Sequence, residues 1–192
     1  PQDNVKEAVA ETASEILICQ GEPVEAYYFS TSVGFTNTPD AWNVTDPGQY
    51  PYLQRVCLNI EPSDSDLSKE QTFRDYLTQA PPGYDSEIRY YRWTAEVDFR
   101  PVLSRISDIL KNRHSISPEN VLYYESDGKE TEPFDIRELT GFGEMTRNRS
   151  GYLTSVTLAC DSGTVEILTE YNIRLLFGTA VTQIAYADGS KA

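Results

Sequence analysis

Three consecutive hydroxyls, Ser30, Thr31 and Ser32, followed by Gly34, stand in residues 27–36, YYFSTSVGFT. Each hydroxyl both donates and accepts a hydrogen bond, so the cluster suits a ligand dense in hydroxyl and amide groups, such as a sugar. Gly34 permits a positive φ or a close approach of ligand to backbone. The same residues suit a serine/threonine turn that caps the preceding strand through its own backbone. Pattern alone leaves both readings open. Trp42 is an aromatic in the polar loop 37–52, rich in Pro, Asn, Asp and Gly. Its ring would either stack on the apolar face of a sugar or plug the edge of the core.

Other catalytic chemistry is poorly represented. Ser30 and Ser32 lack the flanking glycines of a nucleophile elbow, and the chain carries neither a phosphate loop nor a dinucleotide fingerprint. His114, the one histidine, lies in polar sequence and reads as a surface or helix-end residue. Cys19, Cys57 and Cys160 have no C-x-x-C spacing, allow one internal disulfide at most, and read as small buried hydrophobes. Asp64, Asp66, Ser68 and Glu70 alternate like the start of a calcium loop, but its glycine and distant glutamate are missing, so they read as solvated capping residues. No metal or cofactor is expected. Asp40, Asp46 and Glu96 are indistinct among so many carboxylates.

The elements that must position the hydroxyls begin with a short helix over 4–13, then a hairpin of EILICQ and PVEAYYF turning at Gly21-Glu22. A cluster at the end of such a strand is better ordered than one in a free loop. Residues 60–85 read as an insertion holding one helix, 69–79, with Ser68 as N-cap and Pro81-Pro82 as stop. Residues 90–98 alternate as a half-buried strand, and 99–112 show helical spacing. Strands follow at 134–139, 152–159 and 164–168, then a helix over 170–177 capped by Thr169 and ended by Gly178, then a strand over 180–187. Without a βαβ rhythm the class is α+β, mainly antiparallel sheet with short helices, one domain over 1–192 with the helical insertion.

The chain has 192 residues, 39% hydrophobic and 24% charged, with 30 acidic against 16 basic side chains and a formal net charge of -14. This suits a globular fold and would repel a phosphate backbone, so nucleic acid is a poor partner. Neutral or zwitterionic glycans are not excluded. The chain opens on Pro1 and holds a single Met145. It reads as a piece of a longer protein, with any signal peptide or anchor upstream.

The run QGEPVEAYYFSTSVGFT, then Trp42, YPYLQRV, the Tyr90-Tyr91-x-Trp93 segment and finally RSGYLTSVTLACDSGTVEILTEYNIRLLFG resemble, in order and over most of the chain, the stage II sporulation protein D (SpoIID/LytB) family. Two positions depart from its pattern. Phe29 stands where many members have His, and Val33 replaces the first glycine of a pair. The resemblance implies a peptidoglycan lytic transglycosylase domain, outside the cytoplasm and held or secreted through an upstream segment. Its ligand would be the glycan strands, with Ser30, Thr31, Ser32, Gly34, Trp42, Tyr91 and Trp93 along the substrate cleft. Cleavage needs a carboxylic acid that protonates the glycosidic oxygen. In the family this is a Glu in a helix that no stretch here matches, so neither Glu7 nor Glu11 inherits the role and the acid is expected outside this chain. Arg174, in YNIRLLFG, projects from the edge of its helix and can hold a carboxylate or carbonyl in two-point geometry, so it is expected to tie that helix to the hydroxyl-bearing hairpin or its loop, with substrate contact as the alternative. The alternative, motivated by Phe29 and Val33, is a non-catalytic member that binds glycan or a protein partner in a wall-remodelling complex.

Overall fold

A computed structural model describes residues 3–46 and 48–192. The chain divides into two compact units, Pro1–Ser30 and Thr31–Ala192.

The first unit holds helix α1 (Asp3–Glu11), none of whose residues is buried, and a hairpin of β1 (Ile18–Cys19) and β2 (Glu22–Pro23). The strands pair Cys19 with Glu22 across the turn Gln20-Gly21, whose φ values of 53° and 89° are both positive, as a tight hairpin turn requires. The turn therefore lies one residue earlier than the sequence suggests. The strand expected over 24–29 does not form: its alternation has no partner strand, and Tyr28 is 96% exposed. Strand propensity is largely a preference for a half-buried pleated surface, which these residues lack.

The second unit is α+β with antiparallel sheets. Five strands, β4 (Val121–Tyr124), β5 (Glu130–Thr131), β6 (Leu139–Arg147), β7 (Leu153–Cys160) and β8 (Gly163–Leu168), form a sheet in the order β5-β4-β8-β7-β6. In β4 and β8 alternate residues are buried, namely Val121, Tyr123, Val165 and Ile167. Helices α3 (Leu103–Ile116) and α4 (Glu170–Ala180) cover that face with Ile106, Leu110, Ile173 and Leu176. β3 (Trp93–Val97) pairs separately with β9 (Val181–Tyr186).

Several boundaries move. β4 was not anticipated, and the expected strand 134–139 gives way to β6, which carries Gly141 and Gly143 and holds to β7 through three register shifts. Glycine lowers intrinsic strand preference, so pairing with β7 decides this element. α3 runs on to Ile116, just short of Pro118, and His114 at its end bonds the Val121 carbonyl through Nδ1 at 2.8 Å. Thr169 does cap α4, accepting from the Asn172 N–H, but the helix continues through Gly178 to Ala180.

The insertion is integral to the packing. Helix α2 (Glu70–Gln79) starts after Lys69, and Ser68 does not cap it, its own N–H instead donating to Asp66. Tyr76 joins Phe35 and Leu67 in a second buried cluster. Leu67 donates its N–H to the Arg149 carbonyl at 3.0 Å. Glu70 pairs with Arg147 at 2.9 Å and with Arg74 at 2.8 Å, while Asp64 pairs with Arg149 at 2.8 Å and Arg55 at 3.3 Å. Arg174, by contrast, does not cross to another element. It is 68% exposed and pairs with Glu170 of its own helix at 3.2 Å, because the i,i+4 spacing offers a carboxylate nearby. Among the described residues no helix is long and apolar enough to cross a membrane.

Candidate functional site

A cleft of about 690 Å³ opens in the second unit, within the size range of small-ligand sites. Its walls come from five places in the chain. The loop 31–33 supplies Thr31 and Ser32, α2 supplies Phe73 and Leu77, the 3-10 turn Arg89–Tyr91 and the start of β3 supply Tyr91 and Trp93, and β9 supplies Tyr186. Arg92, between Tyr91 and Trp93, and Tyr152, just before β7, also line it.

The loop is held on several sides. The Ser32 N–H donates to Asp85 Oδ2 at 2.5 Å, and Arg92 donates from Nη2 to the Val33 carbonyl at 3.2 Å. Tyr152 donates its hydroxyl to the Phe35 carbonyl at 3.2 Å. Burial, above all, raises the Tyr152 pKa, with the Asp85 charge adding to it, so the phenol stays a neutral donor. The Arg92 guanidinium lies 3.9 Å over the Tyr91 ring, whose hydroxyl donates to the Pro81 carbonyl at 2.6 Å. Tyr91 is buried at 9%, a fixed wall, whereas Trp93 is 54% exposed and presents its ring to solvent.

Of the three hydroxyls expected together, Thr31 and Ser32 line the cleft, while Ser30 falls in the first unit and is exposed. The two that line it behave differently. Ser32 Oγ accepts the Gly34 N–H at 3.1 Å, the self-capping turn that pattern allowed. Thr31 Oγ1 is buried with no hydrogen-bond partner among the described residues. Arg92 Nε and Asp85 Oδ1 are in the same condition.

Gly34 and Trp42 are not among the residues lining the cleft. Gly34 has φ of 120°, and a Cβ there would strike the Tyr76 hydroxyl and lie 2.7 Å from Asn59 Oδ1. Its close approach is to the core, not to a ligand. Trp42 ends a 3-10 turn (Pro39–Trp42) that packs near β7 and α4.

Sequence reasoning missed Phe73, Leu77, Arg92, Tyr152 and Asp85. Phe73 and Leu77 sit four apart on α2 and share a face, a legible pattern, but nothing in it says that the face turns toward Tyr91. Arg92 stood between two candidate aromatics and was readable as a cation at the site. Asp85 acts through a contact 53 residues away, which no local pattern shows.

The lining therefore combines aromatic rings, two aliphatic or aromatic side chains from α2, a few hydroxyls and one cation. Among the described residues no Asp or Glu lines it, and no group of carboxylates, histidines and cysteines is arranged to hold a metal. Such a surface can stack on a ring and bond its hydroxyls, while its described lining includes no carboxylic acid. Comparison of the chain with family models, with characterised proteins and with solved structures gives no match.

Proposed function

We propose that this chain is a SpoIID-like, peptidoglycan-acting domain that contributes the glycan-binding cleft, and that strand cleavage in the intact protein uses a carboxylic acid outside this chain. The reading rests on one observation: Thr31, Ser32, Tyr91 and Trp93, which the family resemblance assigns to a substrate cleft, line one opening. The exposed Trp93 ring would meet the apolar side of a sugar ring. The work would be extracytoplasmic, where the glycan lies, and in company with other wall-remodelling proteins. A non-catalytic, glycan-binding member is the second reading, favoured by the absence of Asp and Glu from the cleft's described lining.

Purified sacculi test both. The chain should co-sediment with them, and Trp93→Ala, which removes a half-exposed ring from the cleft wall, should still fold and bind about three- to tenfold more weakly. Mass spectrometry of the sacculi should reveal no anhydro-muropeptides from this chain alone. No co-sedimentation would overturn the assignment to peptidoglycan, and anhydro-muropeptides would place the acid within the chain.

A further inference from the structure

Outside the cleft, the second unit holds two guanidiniums bridged by one carboxylate. Arg55 lies largely beneath the surface, its side chain 14% exposed and its guanidinium 3.7 Å over the ring of the fully buried Phe35. Asp64, 82% exposed, spans the pair: Oδ1 is 3.3 Å from Arg55 Nη1 and Oδ2 is 2.8 Å from Arg149 Nη2. Arg55 Nη2 donates to the Ser65 carbonyl at 2.5 Å, while Arg55 Nε is buried with no hydrogen-bond partner among the described residues. A sunken cation therefore has a second cation beside it and, as its paired carboxylate, one that stands mostly in water. Asp66 is the other carboxylate near the pair. It accepts the Ser68 N–H at 3.0 Å, the first cause of its lowered pKa, with the Arg149 charge a lesser one.

We propose that Arg55 and Arg149 form a binding site for the carboxylate of a peptide, and that Asp64 occupies this site in the free chain as a tethered competitor. A guanidinium offers a fork of donors matched to both oxygens of a carboxylate, and Asp64, divided between two guanidiniums, gives each of them one oxygen. An ion pair with one partner in solvent is also weak, so a carboxylate of the same chemistry can replace it. The Asp64 side chain can leave without releasing its loop. The Ser63 and Ser65 hydroxyls lie 2.9 Å apart, the Ser65 N–H donates to Ser63 Oγ at 3.2 Å, and Arg55 keeps the Ser65 carbonyl. Asp66 sets the charge of the ligand. With Asp66 in place a singly charged carboxylate neutralises the two arginines, whereas a phosphate dianion would leave the site negative. The net charge of -14 opposes any anion at long range, so this recognition depends on short-range geometry. Neither arginine nor Asp64 lines the cleft, and the inference stands apart from the glycan reading.

The test titrates the 192-residue chain at low ionic strength, following amide and arginine Nε–H resonances by NMR. The probes are N-acetylalanine for a terminal carboxylate, the α-methylamide of N-acetylaspartate for a side-chain one, N-acetylalaninamide as the neutral control, and inorganic phosphate. Removing the competitor by Asp64→Ala or Asp64→Asn should tighten carboxylate binding at least about tenfold over wild type, the factor expected of a site open about a tenth of the time. Both variants are titrated, so one that fails to fold leaves the other to decide. Binding of either carboxylate in this way supports the inference, and the tighter of the two identifies the source. Adding Arg149→Gln to the Asp64 variant should abolish the gain, and Arg149 is 56% exposed, so the fold should survive its loss. Equal affinity in wild type and in the folded Asp64 variants overturns the inference, as does an amide that binds like the acid or a gain that survives Arg149→Gln. Phosphate binding tighter than either carboxylate overturns the assignment to a carboxylate.

Discussion

Gly34 earns its place through space and backbone together. At φ of 120° any L side chain is strained, and a Cβ would push into the hydrogen bond that Tyr76 donates to Asn59 at 2.8 Å. That bond lies inside the cluster of Phe35, Leu67 and Tyr76, so neither partner can retreat cheaply. Gly34→Ala should cost about 2–5 kcal/mol, combining backbone strain with overpacking, and shift the urea midpoint accordingly. An unchanged midpoint would mean that the loop relaxes freely. The glycine was legible as a residue with a special role, but its sequence neighbours are also turn formers, and the side chains that demand it lie at positions 59 and 76.

At the scale of the element, Glu70 ties the start of α2 to Arg147 at the end of β6. The hydrogen bond from Arg147 is the largest cause holding its carboxyl below the ordinary value, against a burial that raises it. A depressed carboxylate contributes stability above its unfolded pKa and loses that contribution as pH falls through the folded value. Glu70→Gln should therefore cost about 0.5–1 kcal/mol at neutral pH, a figure kept small because the carboxylate is half exposed, and the difference from wild type should close in acid, below about 4.3. Denaturant titrations of both proteins across that range check the sign. A difference that persists in strong acid would assign the effect to packing.

At the scale of the molecule, the residues of both buried clusters fall within Thr31–Ala192. In the first unit Ile16, Leu17, Ile18 and Tyr28 are exposed. A chain of residues 31–192 should thus fold on its own and melt within about 2 °C of the full chain, the shift expected for under about 0.5 kcal/mol. Scanning calorimetry of the two compares them directly, and a fragment that fails to fold would show that the first unit is needed for stability.

By itself the sequence determined the α+β class and the helix cap at Thr169, because those depend on local periodicity and capping chemistry. The tertiary structure alone decided that β6 forms despite two glycines, that 24–29 remains outside any strand, that Arg174 pairs within its own helix, and that α2 lines the same cleft as Tyr91. Each of these turns on a partner distant in the chain or on the absence of one. Side-chain periodicity states which face is apolar, but only long-range pairing and packing decide what that face meets.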